Sequence, residues 1–407
     1  MPEEKVLKKS VESVIYNKRY ALLLWFGLVF IAIILAQFHH SGINNFHIFR
    51  HVYLHVVSHQ NLYATYPNEY GDVNLYGPVF SVLIAPFALL PIWLGSALWV
   101  IFNAGILYFA IRQIPVLKKI NIAIVLLCSN EMMNNASWFQ VNPLIAACLL
   151  LGFSFIQKGK DAYALFFILF ATFIKIYGIA GFAFLFFSKN KLRFLLWAII
   201  WSVVFFLLPL MLTTWQFLIQ SYQDWYHAIT EKAAKNTQLN NGNLAQDISL
   251  MGMIRRIGNV PKLNDLYILM PCMLLFFTQY LQVKYLSNLG YRLYILCSVL
   301  LSVVIFSSGS EAVTYIIAVP ALCLWYFLQP VSRAATVFFI SALIFTTFSY
   351  SDVFTPWFRA NIARPYALKA LPSVALWFII CWQVYKKQFL KINPKQLYFA
   401  REHETKP

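Results

Sequence analysis

The side chains of this chain that are best suited to chemistry are carboxylates in or beside polar stretches. Glu69 and Asp72 share one such stretch, while Glu131, Glu311 and Asp352 each lie at the end of an apolar run. A positioned carboxylate takes a proton from a hydroxyl group, which is general base catalysis. We take these acids as candidates for a water-facing site.

One cation stands out by its surroundings. Lys175 lies in the run FATFIKIYGI, which contains no other charged residue. An unpaired ammonium is costly in such an apolar environment, so Lys175 needs an anion. The alternative is a lysine at a helix end whose ammonium reaches water along its own alkyl chain.

The elements that position these residues are apolar. Of 407 residues, 60% are hydrophobic, 18% aromatic and 12% charged, and the mean hydropathy is +0.64. A soluble protein carries about a quarter charged residues, so a soluble enzyme, a disordered chain and a disulfide scaffold are excluded. We attribute the net charge of +17 to cytoplasmic loops of a membrane protein and not to a nucleic-acid partner.

Twelve apolar runs have the length or the composition of membrane helices, which need roughly 20 residues to cross about 30 Å. They cover residues 20–37, 92–111, 119–134, 143–157, 161–174, 176–187, 194–214, 266–283, 292–308, 312–328, 334–351 and 371–386. The sequence therefore predicts an all-α polytopic membrane protein, a single integral membrane domain over residues 1–407.

The distribution of lysine and arginine orients these runs, because basic residues concentrate in cytoplasmic loops. It places both termini in the cytoplasm and favours a hairpin over a single helix for residues 161–187. It also favours an interfacial helix for residues 78–90, which would reverse all later loops if they crossed. Two large outer loops follow, at residues 38–91 and 215–265, and we expect the plasma (inner) membrane as the location.

The first outer loop contains NNFHIFRHVYLHVVSHQNLY, whose apolar residues recur at helical spacing. We expect a helix that lies flat on the membrane surface. Its histidines, His47, His51, His55 and His59, recur every fourth residue, which fits a polar helix face better than a metal site because no carboxylate pair accompanies them. The second loop contains QLNNGNLAQDISL, predicted to be irregular. The six cysteines lie in apolar runs and are expected to be core residues.

These stretches resemble the integral-membrane glycosyltransferases of family 87, polyprenyl-phosphate-sugar-dependent enzymes of the GT-C fold, and especially their divergent members of the Bacteroidetes type. The resemblance covers roughly residues 20 to 330. It rests on the first-loop segment from Asn44 through the turn at Leu75–Pro78 to Pro91, on LWVIFNAGILYFAI, on FILFATFIKIYGIAGF, and on SLMGMIRR. It implies a GT-C-like bundle with interfacial helices on its outer face.

The resemblance also assigns roles to residues. Where the family usually has an Asp-Phe pair after the first membrane span, with the Asp as presumed base, this chain has Asn45 and Phe46. An amide is no base at neutral pH, so we expect Asp72, or secondly Glu69, to replace it. Solvated loop acids without a catalytic role are the alternative for both.

Phosphate ligands are implied at two further places. Lys175 matches a lysine of the family, and Arg256 matches the arginine of its SLxGxxxR motif, with Arg255 beside it. Gln246 and Asp247 depart from the Asn-Gln pair that precedes this motif in the family. Asn45, His55, Tyr76 and Glu311 are the remaining candidates, for substrate contact.

The resemblance thus implies transfer of a hexose, with mannose as the first candidate, from a polyprenyl-phosphate donor to a glycan or lipid acceptor at the outer face. No metal or cofactor is expected. Two alternatives remain: a transporter or flippase of lipid-linked glycans without catalytic activity, and an acyl- or phosphoglycan transferase that uses His47 or His55 as base.

Overall fold

The computed structural model describes residues 13–39, 43–236 and 244–397, and within these ranges every regular element is a helix. The predicted all-α class is confirmed. Residues 1–12 of the predicted cytoplasmic N-terminus, and residues 238–243 of the predicted irregular segment, lie outside the described residues.

Fifteen α-helices of eight or more residues follow one another along the described chain. They are α1 (Lys18–His39), α2 (Asn44–Val57), α3 (Phe80–Ala88), α4 (Ile92–Arg112), α5 (Lys118–Ser137), α6 (Asn142–Gln157), α7 (Asp161–Ile174), α8 (Lys191–Leu207), α9 (Trp215–Asn236), α10 (Leu250–Ile257), α11 (Leu266–Thr278), α12 (Leu289–Ile305), α13 (Val319–Leu328), α14 (Arg333–Phe348) and α15 (Leu371–Tyr385). Short 3₁₀ turns extend several of them, and a longer 3₁₀ helix, Ile176–Phe187, follows α7.

Each of the twelve predicted apolar runs falls on a helical segment. Among the described residues, three segments are long and apolar enough to cross a membrane: Lys18–Phe38, Ile92–Arg112 and Lys191–Met211. Eight further apolar helices have 10–17 residues. A helix satisfies its own backbone hydrogen bonds, which hydrocarbon requires, so this pattern makes the chain a membrane protein. The exact number of crossings stays a prediction.

The centre of the core is formed by α6, α12 and α13, whose side chains are nearly all buried. Outer helices show the opposite pattern, since apolar side chains such as Leu23 of α1 and Ile199 of α8 are 70% and 63% exposed. Apolar exposure on this scale fits a lipid-facing surface. All six cysteines are buried and unpaired in the described core, as the sequence predicted.

The chain reverses direction at Lys175, as the predicted hairpin requires. Lys175 is extended, with φ −146° and ψ 124°, between the end of α7 and the 3₁₀ helix. A Cβ on Gly178 would lie 2.3 Å from the backbone N of Thr172, and one on Gly181 would lie 2.7 Å from Ile168. The 3₁₀ helix therefore runs back along α7, and only glycine permits this close approach at Gly178.

Two short helices of the first polar loop pack together. The apolar face of α2 is buried through Phe46, Phe49, Val52 and Val56, and the Phe49 ring meets the Phe80 ring of α3 at 5.0 Å. Helix α3 has nine residues, about 14 Å at 1.5 Å per residue, which is too short to cross the bilayer alone. That both helices lie at the membrane surface stays a prediction.

Candidate functional site

A cavity of about 1260 Å³ opens between the two long polar loops and the helix ends that face them. Its walls come from seven parts of the chain: the start of α2, residues 72–76, the end of α5 with the turn that follows, the break at Lys175, α9 with the stretch after it, and two late stretches at 307–313 and 347–369. Residues that are far apart in sequence therefore share one space.

Helix α9 of the second loop is fastened to the first loop. Trp225 Nε1 donates a hydrogen bond to the carbonyl oxygen of Leu75 over 3.0 Å. Asn61 Nδ2 donates to Asp224 Oδ2 over 3.0 Å. These two contacts hold the loops together as one wall of the cavity.

Asp72 lies on this wall with its carboxylate half-exposed. Its φ of 128° is in the positive range that glycine favours, so the surrounding loop must hold the residue in this strained conformation. Its Oδ1 accepts a hydrogen bond from the backbone N–H of Val73 over 2.8 Å. Its Oδ2 lies 3.4 Å from Lys232 Nζ on α9. The carboxylate is thus oriented from two sides and accessible from the cavity.

The turn after Asp72 brings this loop against the break at Lys175. The N–H of Gly77 donates to the carbonyl oxygen of Ile174 over 3.0 Å. A Cβ on Gly77 would lie 2.1 Å from the carbonyl oxygen of Phe173, so only glycine fits. Tyr76, which precedes it, lines the cavity.

Lys175 reaches the cavity from the hairpin turn. Its Nζ donates to Asn142 Oδ1 over 3.0 Å and lies 4.5 Å from the centre of the Tyr177 ring. No carboxylate of the described residues lies within ion-pair distance of this ammonium. Lys175 is therefore a half-buried cation whose protein partners are neutral, and an anion in the cavity would complete its surroundings.

Glu311 also lines the cavity and is firmly held. Its Oε1 accepts a hydrogen bond from Gln246 Nε2 over 2.6 Å. A capping box with Thr314 fixes the residue at the start of a 3₁₀ helix. Glu311 is the carboxylate that acts electrostatically on Lys175. The departure from the family pattern at Gln246 thus has a structural function, because the amide orients Glu311.

Amide side chains form a further part of the wall. Asn45 donates from Nδ2 to the carbonyl oxygen of Trp138 over 2.8 Å. Asn130, Asn134 and Gln140 line the same cavity. Each amide offers both donors and an acceptor, which suits the hydroxyl groups of a sugar.

Two of the predicted site residues, Glu69 and His55, bind each other outside the cavity lining. His55 Nε2 lies 2.8 Å from Glu69 Oε2, and His51 Nε2 lies 3.6 Å from the same oxygen. His55 is 2% exposed, so it does not belong to a wet helix face as the sequence suggested. Burial lowers the pKa of His55, although Glu69 acts in the opposite direction. Among the described residues, no three metal-ligating side chains meet at one point.

Arg255 and Arg256 do not line the cavity either. Arg255 is fully buried and forms ion pairs with Asp247, at 2.5 Å, and with Asp265. Burial alone would lower the pKa of Arg255, but these two carboxylates raise it. Arg256 donates to two carbonyl oxygens, that of Gln246 over 2.5 Å and that of Arg364 over 3.1 Å. Both arginines thus hold loops that carry cavity residues.

Three cavity cations escaped the sequence analysis: Lys232, which faces Asp72, and also Lys369 and Arg364. Lys369 donates from Nζ to Glu131 Oε1 over 2.7 Å, and both side chains are almost completely buried. Arg364 follows a short π-helical turn and lines the cavity. Glu131 was visible as an acid at the end of an apolar run, but its partner lies 238 positions further on, and no local pattern signals such a pair.

The assembled cavity contains what transfer between two oxygen atoms requires. Asp72 is a carboxylate that can accept a proton, Lys175 is a cation that can bind an anion, and the amides can orient a polar substrate. Of the nine predicted site residues, five line the cavity: Asn45, Asp72, Tyr76, Lys175 and Glu311.

Comparison with known proteins gives one family. No curated protein matches the chain. The profile of glycosyltransferase family 87 matches residues 74–308, more than half of the chain, and this stretch includes the Gly77 turn, Lys175 and helix α9. Transfer of a sugar from a donor to an acceptor is the reaction of a glycosyltransferase. The chain is therefore a membrane protein that belongs to glycosyltransferase family 87.

Proposed function

We propose that the protein transfers a hexose, with mannose as the first candidate, from a polyprenyl-phosphate carrier to a glycan or lipid acceptor at the outer face of the plasma membrane. The observation that supports this proposal most directly is that Asp72 and Lys175 line the same cavity. A carboxylate and a cation without an acidic partner are the two groups that such a transfer needs.

In the proposed reaction, Asp72 accepts the proton of the acceptor hydroxyl group. The acceptor oxygen then forms a bond to the anomeric carbon of the donor sugar. The bond between that carbon and the phosphate oxygen breaks, and its electron pair leaves with the polyprenyl phosphate. The ammonium of Lys175 stabilises the charge that develops on this phosphate.

The strained backbone of Asp72 supports its role as base, because strain of this kind concentrates at functional sites. Glu69 is the weaker candidate, since its carboxylate is engaged by His55 and lies outside the cavity lining. For the donor phosphate we keep Lys175 alone, because Arg255 is buried between two carboxylates and Arg256 is bound to carbonyl groups. Asn45, Tyr76 and Glu311 are proposed to contact the substrates.

The deciding experiment uses the purified full-length protein in detergent with polyprenyl-phosphate sugars. Enzymatic transfer releases the bare polyprenyl phosphate, which is detected by mass spectrometry. A flippase would instead move the intact lipid across reconstituted vesicles without releasing it. Movement without release would therefore contradict the proposed activity.

A further inference from the structure

The late segment of the chain, beyond the stretch that the family profile matches, adds to the cavity a second cation that has no carboxylate partner. Four cations line the cavity: Lys175, Lys232, Arg364 and Lys369. Lys369 is neutralised by Glu131, and Lys232 faces Asp72. Lys175 and Arg364 remain, and neither forms an ion pair with a carboxylate of the described residues.

Arg364 has an accessible side chain and a fixed backbone. The only acid in residues 349–370 is Asp352, and Arg359 binds it. The structure gives the Arg364 side chain no hydrogen bond to any described residue. Its carbonyl oxygen accepts a hydrogen bond from Arg256, whose other terminal nitrogen donates to Gln246. Arg256 thus places Arg364 on the cavity wall without neutralising it.

The two cations without a carboxylate partner belong to separate parts of the cavity wall, Lys175 to the break after α7 and Arg364 to the stretch after the π-helical turn. Glu311 acts electrostatically on Lys175, and it is connected to the backbone of Arg364 through Gln246 and Arg256. Each of these two cations can bind one anionic group in the cavity.

We propose that Arg364 binds a phosphate group of the acceptor, while Lys175 binds the phosphate of the donor. This inference rests on the proposed function, because it assigns the second substrate of that reaction. A guanidinium group presents a planar fork of donors that matches a phosphate. The acceptor is then a phosphorylated lipid or glycan, and Arg256 is a positioning residue.

The test separates the two phosphates with two probes on the full-length protein in detergent. The first measurement is the affinity for a polyprenyl monophosphate. The second is the binding of inorganic phosphate, followed by phosphorus NMR, to protein already saturated with that lipid. The variants are Lys175→Ala, Arg364→Gln and Arg364→Lys, with Arg333→Gln as a control because Arg333 is exposed and lies outside the cavity lining.

We expect Lys175→Ala to weaken the affinity for polyprenyl monophosphate about tenfold or more. Arg364→Gln should change this affinity less than about twofold. For inorganic phosphate on the loaded protein, Arg364→Gln should weaken binding about tenfold, Arg364→Lys less, and Arg333→Gln not at all. The proposal is wrong if Arg364→Gln weakens binding of the lipid as strongly as Lys175→Ala does. It is also wrong if loaded wild-type protein binds no second phosphate.

A failure of the proposed donor would look different. Wild-type protein would then bind no polyprenyl phosphate at all. Inorganic phosphate titrated into the unloaded Lys175→Ala protein, with and without Arg364→Gln, would still report on Arg364. Loss of binding in the double variant alone supports the Arg364 site, whereas equal binding in both proteins refutes it.

Discussion

Replacement of Asp72 by asparagine tests the proposed base most directly, because the structure indicates that little else changes. Asparagine keeps an oxygen that accepts the 2.8 Å hydrogen bond from Val73 N–H. It also adopts positive φ more readily than most residues. The change removes basicity and the contact with Lys232, whose Nζ lies 3.4 Å from a carboxylate that is 53% exposed.

These effects differ enough in size to be separated. An exposed ion pair is worth roughly 0.2–1 kcal/mol, so its loss changes a rate by at most about fivefold. Loss of a positioned general base reduces a rate by roughly 10² to 10⁴, about 2.7–5.4 kcal/mol. We therefore expect Asp72→Asn to fold, to bind the lipid donor with near wild-type affinity, and to turn over at least about a hundred times more slowly.

The assay is the initial rate of polyprenyl-phosphate release, with donor affinity measured separately. Lys232→Met removes the same ion pair but keeps the carboxylate, so its rate should fall only slightly. Glu231→Gln, on the same helix and 67% exposed beside Lys235, is the control for loss of a nearby charge. If Asp72→Asn retains more than about a third of the wild-type rate, Asp72 is not the base. A selective loss in Glu69→Gln would then transfer the role to Glu69.

Three other predictions concern the cation, the buried ion pair and the topology. Lys175→Ala should weaken polyprenyl-phosphate binding more than Lys175→Arg, because charge matters more than shape there; equal affinity in wild type and Lys175→Ala would show that Lys175 binds no phosphate. Glu131→Gln should lower the free energy of unfolding in detergent by about 3–5 kcal/mol, because it leaves Lys369 buried and unpaired. Glu131→Gln combined with Lys369→Met should recover most of that loss, and no recovery would argue against the pair as its cause. Finally, a membrane-impermeant thiol reagent applied from outside should label a cysteine placed at Lys235 but not one at Lys189, and the reverse pattern would place the cavity in the cytoplasm.

Much of the helical framework is predictable because hydropathy and turn formation are local properties. Each apolar run falls on a helix, and the isolated charge of Lys175 marks the hairpin turn. The buried face of α2 follows from the spacing of Phe46, Phe49 and Val52. The histidine pattern misled at His55, because helical spacing gives a face but does not indicate what packs against it.

The sequence by itself determined the class of the protein, its helices and the candidate residues Asp72 and Lys175. Tertiary structure alone decided which candidates meet. Arg255 resembles a phosphate ligand in sequence, yet in the structure it is buried and forms ion pairs with two acids from neighbouring loops. Lys369 and Arg364 carry no local signal, because their positions on the cavity wall depend on how helices separated by hundreds of residues pack. Helix formation and the type of each charged group depend on residues that are close in sequence. The partner of a charge depends on long-range packing.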